Sequence, residues 1–103
     1  MAHSPSAVPP PGTEKWIDVA KQDLAKRLGL DPAEIAFIEY RDVVWPDGGL
    51  GCPRPGMVYV QVTVDGYAIR LGAGKRVYQY HGGGRRGPFL CESPIQLPPP
   101  ASQ

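Results

Sequence analysis

An α+β domain is predicted: an N-terminal amphipathic helix packed, in two layers, on an antiparallel β meander of three to five strands. Three observations predict it. Ile17, Ala20, Leu24 and Leu28 recur at intervals of three or four residues, which is the period of one helix face. The octet MVYVQVTV, residues 57–64, alternates valine with other side chains as a half-buried strand does. Turn signals at Asp65-Gly66 and Gly72-Ala73-Gly74-Lys75 then separate short runs rich in β-branched and aromatic residues.

In chain order, Thr13 is the expected N-cap of the helix, with Trp16 and Val19 widening its apolar stripe. Gly29 provides the left-handed stop, and Leu30 is placed to fold back on the last turn. Asp31-Pro32-Ala33-Glu34 has the cap, N1 proline and N3 acid of a single further helical turn. Residues 35–44, IAFIEYRDVV, should contain the first strand, with a bulge near residues 39–42 where the alternation falters. The octet 57–64 is the clearest strand, turning at Asp65-Gly66 into a strand over residues 67–71. Residues 76–81, RVYQYH, form the next. A glycine-rich loop over residues 81–87 precedes a short edge strand, Pro88-Phe89-Leu90-Cys91. Tyr78 and Tyr80 share one face of their strand, Val77 and His81 the other. If the valines meet the helix, the tyrosines form an outer aromatic surface.

Composition divides the chain. Thirteen prolines and thirteen glycines make about a quarter of it, and the prolines crowd both ends. Residues 1–12 and 93–103 are expected to be proline-rich tails, because proline removes backbone donors and disfavours helix and central strand. Residues 13–92 then form one domain. A domain of roughly 80 residues buries a modest core and often needs a covalent or metal staple.

Cys52 and Cys91 are the candidates. Bonded, they close a loop of about 40 residues, worth roughly 4 kcal/mol in the chain-entropy treatment. Both flank loops rather than lie in periodic runs, which favours a disulfide and an oxidising compartment. The alternative is two reduced, buried thiols. No apolar leader follows Met1 and no run reaches transmembrane length, so any signal or anchor is expected to lie outside this sequence.

The stretch WPDGGLGCPRPG, residues 45–56, has no periodicity and is bounded by turn signals. Connections of that length are usually functional or disordered. Anchored at Cys52 and stiffened by proline, this one is expected to be a pre-shaped loop that loses little entropy on binding. The pattern W-P-D-x-x-L-G-C-P-x-P-G-x-x-Y, continued by G-Y-x-I-x-L and Y-x-Y-H, resembles a family of small uncharacterised bacterial domains found in secreted proteins and lipoproteins. The resemblance covers about residues 24–91. It implies an extracytoplasmic setting and brings no activity with it.

Several chemistries are disfavoured. Cys52 with His81 could serve as nucleophile and base of a thiol enzyme or hydrolase, but no third orienting group stands out and no helix start follows Cys52. His3, His81, Cys52 and Cys91 lack the close paired spacing of zinc ligands, so neither a metal nor another cofactor is expected. Gly72-Ala73-Gly74-Lys75 is followed by Arg76 and a strand, unlike a phosphate loop. Tyr59, Tyr67, Tyr78 and Tyr80 near several arginines could stack on single-stranded nucleic acid. The net charge of +1 speaks against that, although five basic against eight acidic residues in 1–51 give way to six against two in 52–103. The expectation is therefore a monomeric, non-enzymatic, extracytoplasmic binding module for a protein or cell-envelope polymer. Its candidate contacts are Trp45, Asp47, Arg54, Tyr59, Tyr78, Tyr80 and His81. An inhibitor-like version offers Arg54 to a protease; a third class is a scaffold piece of a longer exported protein.

Overall fold

The computed structural model describes residues 8–92; residues 1–7 and the C-terminal tail expected over 93–103 lie outside the described residues. Helix α1 (Glu14–Leu28) leads through a 3-10 turn (Pro32–Glu34) into strands β1 (Ala36–Trp45), β2 (Val64–Ala73), β3 (Arg76–Gly83) and β4 (Arg86–Cys91). The strands form one antiparallel sheet in the order β1-β2-β3-β4. The helix packs against one face of this meander, as expected.

Local signals at the helix hold. Gly29 takes φ 71° and its N–H donates to the Ala25 carbonyl, which also accepts from Leu30 at 2.9 Å. The Asp31 carboxylate accepts from Ala33, and Glu34 accepts from the Asp31 N–H, completing the capping box of the short turn. Thr13 is the N-cap, but its hydroxyl donates to the Pro10 carbonyl at 2.7 Å instead of capping the helix. Ile17, Ala20, Leu24 and Ala25 are buried, whereas Val19 and Leu28 lie on the exposed side.

The face toward the helix carries Tyr67, Ile69, Leu71 and Ala73 from β2 and Tyr80 from β3, with Tyr40, Tyr78 and Leu90 at its margin. The tyrosines therefore turn inward and Val77 outward, the reverse of the outer aromatic surface considered from sequence. Tyr80, fully enclosed, donates its hydroxyl to Asp23 Oδ2 at 2.6 Å, tying sheet to helix. Burial opposes ionisation of Asp23, but hydrogen bonds from Tyr80 and Arg27 outweigh it and hold the carboxyl below its ordinary range.

Three strand boundaries differ from the sequence expectation. Residues 57–63 are not in a strand, and Asp65-Gly66 lies within β2 rather than in a turn. The reason is Trp45. Its backbone pairs with Val64, and its indole, with the Gly82 carbonyl, fills the space where a Cβ on residue 66 would sit. Only glycine permits that approach, so Gly66 serves sheet packing. The third difference is at residues 81–87, where β3 continues to Gly83 and a two-residue turn starts β4 at once. Both tight hairpins, Ala73 to Arg76 and Gly83 to Arg86, place glycine with positive φ at the first turn position, as type II′ geometry requires. The β1 bulge falls between Phe37 and Glu39, at the near edge of the expected region.

Candidate functional site: a cystine-anchored flap

Between β1 and β2 the chain runs out across the sheet face opposite the helix and returns. The outgoing limb starts at Trp45, which is completely enclosed with Leu50 and Ala68 and flanked by Val43, Val64 and Phe89. The indole N–H donates to the Gly82 carbonyl at 3.0 Å, giving the ring the polar partner its burial demands. Asp47 shapes the limb: its Oδ1 accepts from the Gly49 N–H at 2.8 Å and its carbonyl accepts from Leu50 at 3.2 Å. Cys52 then donates to the Gly49 carbonyl at 3.0 Å, continuing the turn. Leu50 and Gly51 both take left-handed backbone, φ 54° and 72°. That conformation is uncommon for leucine. Here it aims the side chain into the core and the carbonyl at β3.

His81 receives that carbonyl. Its Nδ1 lies 2.8 Å from the Leu50 oxygen, an acceptor only, so Nδ1 carries the proton. Nε2, left as an acceptor, lies 3.0 Å from Oε1 of the Gln79 side chain, so that amide must be turned to present its NH2 group to the ring. The ring stacks on Trp45 with centroids 4.5 Å apart and meets Phe89 edge-on at 6.3 Å. Burial lowers the His81 pKa, and the hydrogen bond to Leu50 only partly offsets that. A neutral, enclosed imidazole with both nitrogens engaged supports the flap.

The outgoing limb ends at the Cys52–Cys91 disulfide, with Cα atoms 5.8 Å apart, which binds it to the end of β4. Beyond the cystine the character reverses. Pro53, Arg54, Pro55 and Gly56 are exposed, and a turn closes with the Met57 N–H donating to the Arg54 carbonyl at 3.2 Å. The return limb, residues 57–63, lies over the outgoing one. Its Val60 carbonyl accepts from the Gly48 N–H at 2.9 Å, and the Tyr59 ring lies within van der Waals reach of Gly49. The Tyr59 hydroxyl accepts from the Arg54 N–H at 3.0 Å. With Tyr59 turned inward, Met57, Val58, Val60 and Val62 point out; Val58 is 93% exposed and Val60 68%.

The sequence-predicted contact residues thus divide among three places. Trp45 and His81 are brought together, but inside the molecule. Asp47, Arg54 and Tyr59 gather in the flap, where Arg54 is exposed and the other two are partly covered. Tyr80 and Tyr78 lie on the helix side of the sheet. Tyr78 also borders an open hollow of about 360 Å³, beside Val77 and Leu90, at the far end of β3 from Trp45. The valines of the return limb were missed as surface residues, because their alternation reads equally well as a buried strand. Cys52 offers no thiolate while bonded to Cys91. Among the described residues no group of three His, Cys, Asp or Glu side chains is placed to hold a metal ion, and no helix is long and apolar enough to cross a membrane.

No curated protein and no solved structure matches the chain. A family profile described as a domain of unknown function, DUF8738, matches residues 17–91, from the first buried residue of α1 to the second cysteine of the disulfide. That match spans well over half of the 103 residues, and the chain belongs to the DUF8738 family.

Proposed function

We propose that this chain is a small extracytoplasmic, non-enzymatic binding module that recognises a protein partner through the return limb of its flap. The observation that carries the reading is that four apolar side chains of this one limb, Met57, Val58, Val60 and Val62, are all exposed. Soluble domains rarely leave such a group open unless something docks there. The limb is also braced, by the cystine, by the Gly48–Val60 hydrogen bond and by the Tyr59 hydroxyl, so little freedom remains to be lost on binding.

The extracytoplasmic setting is supported by the cystine, since disulfides persist mainly in oxidising compartments. The rings that would stack on a sugar of an envelope polymer, Trp45 and Tyr80, are enclosed, which favours a protein ligand. A minor, narrower version has Arg54 offered to a protease with its N–H held by the Tyr59 hydroxyl, although Pro55, directly after it, hinders cleavage after arginine. Trypsin-like proteases should then be slowed by micromolar protein; undiminished activity removes that version.

The general reading is tested by capture from envelope extracts on immobilised protein, native against Val58→Lys/Val60→Lys. Partners are expected on the native protein and lost from the variant. An identical set on both would overturn the assignment of the flap as the recognition surface.

A further inference from the structure

We infer that the uncovered half of the sheet face beside the flap is a second docking surface, for a segment of a protein partner in which apolar and acidic side chains alternate. The inference goes beyond the flap reading and does not rest on it. Ala68 and His81 lie beneath the flap, whereas the next residues on the same face, Arg70 and Gly72 of β2 and Gln79 and Val77 of β3, are half-buried or exposed. Alternation along β1 puts Glu39 and Arg41 on this face as well, with Trp45. One carboxylate there serves two guanidiniums. Glu39 Oε2 lies 3.2 Å from Arg41 Nη2, while Arg70 Nη1 reaches Oε1 only at 3.5 Å. The Arg70 side chain stays 42% exposed, and its Nε, itself shielded, has no hydrogen-bond partner among the described residues. Of the acidic residues in the strands, Glu39 alone is on this face; Asp42 and Asp65 alternate to the helix side with Tyr67. The face therefore has positive charge in excess, on a planar donor group suited to a second carboxylate.

An apolar shelf adjoins the charged row. Gly72 pairs with Val77, and Ile38 leans over Gly72, where a Cβ would stand 3.2 Å from Ile38 Cδ1. Ile38 is 38% exposed and Val77 51%. Val77, with Gln79 and Leu90, also lines the hollow of about 360 Å³ at this end of β3, which gives an apolar side chain somewhere to settle. Arg70 and Gly72 are two residues apart on one strand, about 7 Å. An extended peptide repeats at the same spacing along one side. An apolar side chain on the Ile38–Val77 shelf therefore sets a carboxylate two residues away against Arg70. Residues 93–103, which follow Glu92 at the hollow, contain no acidic side chain, so the carboxylate is assigned to a partner. The contact is small, and binding should be weak and sensitive to salt.

Titration with a capped peptide repeating leucine–serine–glutamate–serine, followed through backbone amide signals, tests the idea against the same peptide with glutamine in place of glutamate. The glutamate peptide should move the Arg70, Gly72, Val77 and Gln79 amides, and its affinity should fall as salt rises. The glutamine peptide should bind about tenfold or more weakly, and so should the glutamate peptide to Arg70→Gln. Val77→Glu, at an exposed position, should weaken binding similarly without touching the ion pairs. Arg85→Glu, exposed on the far hairpin, should leave affinity within about twofold. Equal binding of the two peptides, full affinity in Arg70→Gln, or no movement on this face at millimolar peptide overturns the inference. Truncation after Glu92 supplies a further check: if it moves the same amides without peptide, the chain's own end covers the face, and an outside partner is ruled out. Val58→Lys/Val60→Lys should still bind the glutamate peptide, so failure here and failure of the flap reading are told apart.

Discussion

The His81 Nδ1–H donates a hydrogen bond to the carbonyl oxygen of Leu50 at 2.8 Å, so a strand ring holds a loop peptide 31 residues earlier in the chain. The loop peptide is in the left-handed region, and Trp45 stacks on the other side of the ring. Three elements thus converge on one neutral imidazole, and its protonation state becomes a stability switch.

The first prediction concerns acid. Because the folded pKa of His81 lies below its ordinary 6.5, the unfolded chain binds the extra proton more readily. Stability should be fully present above about pH 6.5 and fall as pH drops from there toward the lowered folded value, with a slope of up to about 1.4 kcal/mol per pH unit. Urea unfolding at a series of pH values measures it. His81→Gln should flatten the slope between pH 7 and 5, while His3→Ala should not. Asp23 adds a second loss at lower pH, since its folded pKa lies below 3.8 and its contribution disappears as pH falls through that value.

A second prediction concerns the cystine. Cys52 and Cys91 are 39 residues apart in sequence, and a loop of that length stabilises by about 4 kcal/mol in the chain-entropy treatment. Reduction, or Cys52→Ser with Cys91→Ser, should lower the urea midpoint by a corresponding amount. An unchanged midpoint would mean that the buried outgoing limb is held by Trp45 and Leu50 alone.

The Trp45 contact supplies a third. Gly66→Ala places a methyl group against the indole Nε1, 2.6 Å from the position its Cβ would take, and against the backbone of Gly82. Both neighbours are enclosed, so the cost is expected near the upper part of the usual overpacking range, about 3 kcal/mol. Thermal unfolding reads it directly. A wild-type melting temperature would show that β2 does not run through residue 66 as described.

The return limb supplies the fourth. Val58→Lys and Val60→Lys should each change monomer stability by less than about 0.5 kcal/mol, as surface substitutions do. The octet read from sequence as a core strand predicts a loss of several kcal/mol instead. Denaturation at low micromolar protein separates the two.

These contrasts show where sequence reasoning stops. Helix α1 and the short turn after it were legible because their stop and capping residues act within a few positions: Gly29, Asp31, Pro32 and Glu34. The Cys52–Cys91 link was likewise visible, as the only cysteines of a small domain. The valine octet was not, because alternation reports that residues share a face without reporting whether anything covers it. Asp65-Gly66 misled for a related reason. Its glycine is demanded by an indole twenty-one positions away, and nothing beside it in the chain says so. Of the flap, Arg54 was correctly placed in the open, while the Trp45–His81 stack depends on strand register that only the assembled sheet sets.

Sequence alone therefore determined the class of the domain, its helix and helix stops, the cysteine pair available for bonding, and which residues of β3 travel together. Tertiary structure decided that the tyrosine side of β3 meets the helix, that β2 rather than the valine octet pairs with β1, and that half of the flap is buried. The physical reason is that caps and periodicities are satisfied by near neighbours. The choice between two faces, or two candidate strands, is made by which arrangement encloses Trp45, His81 and Tyr80 with all their polar atoms partnered.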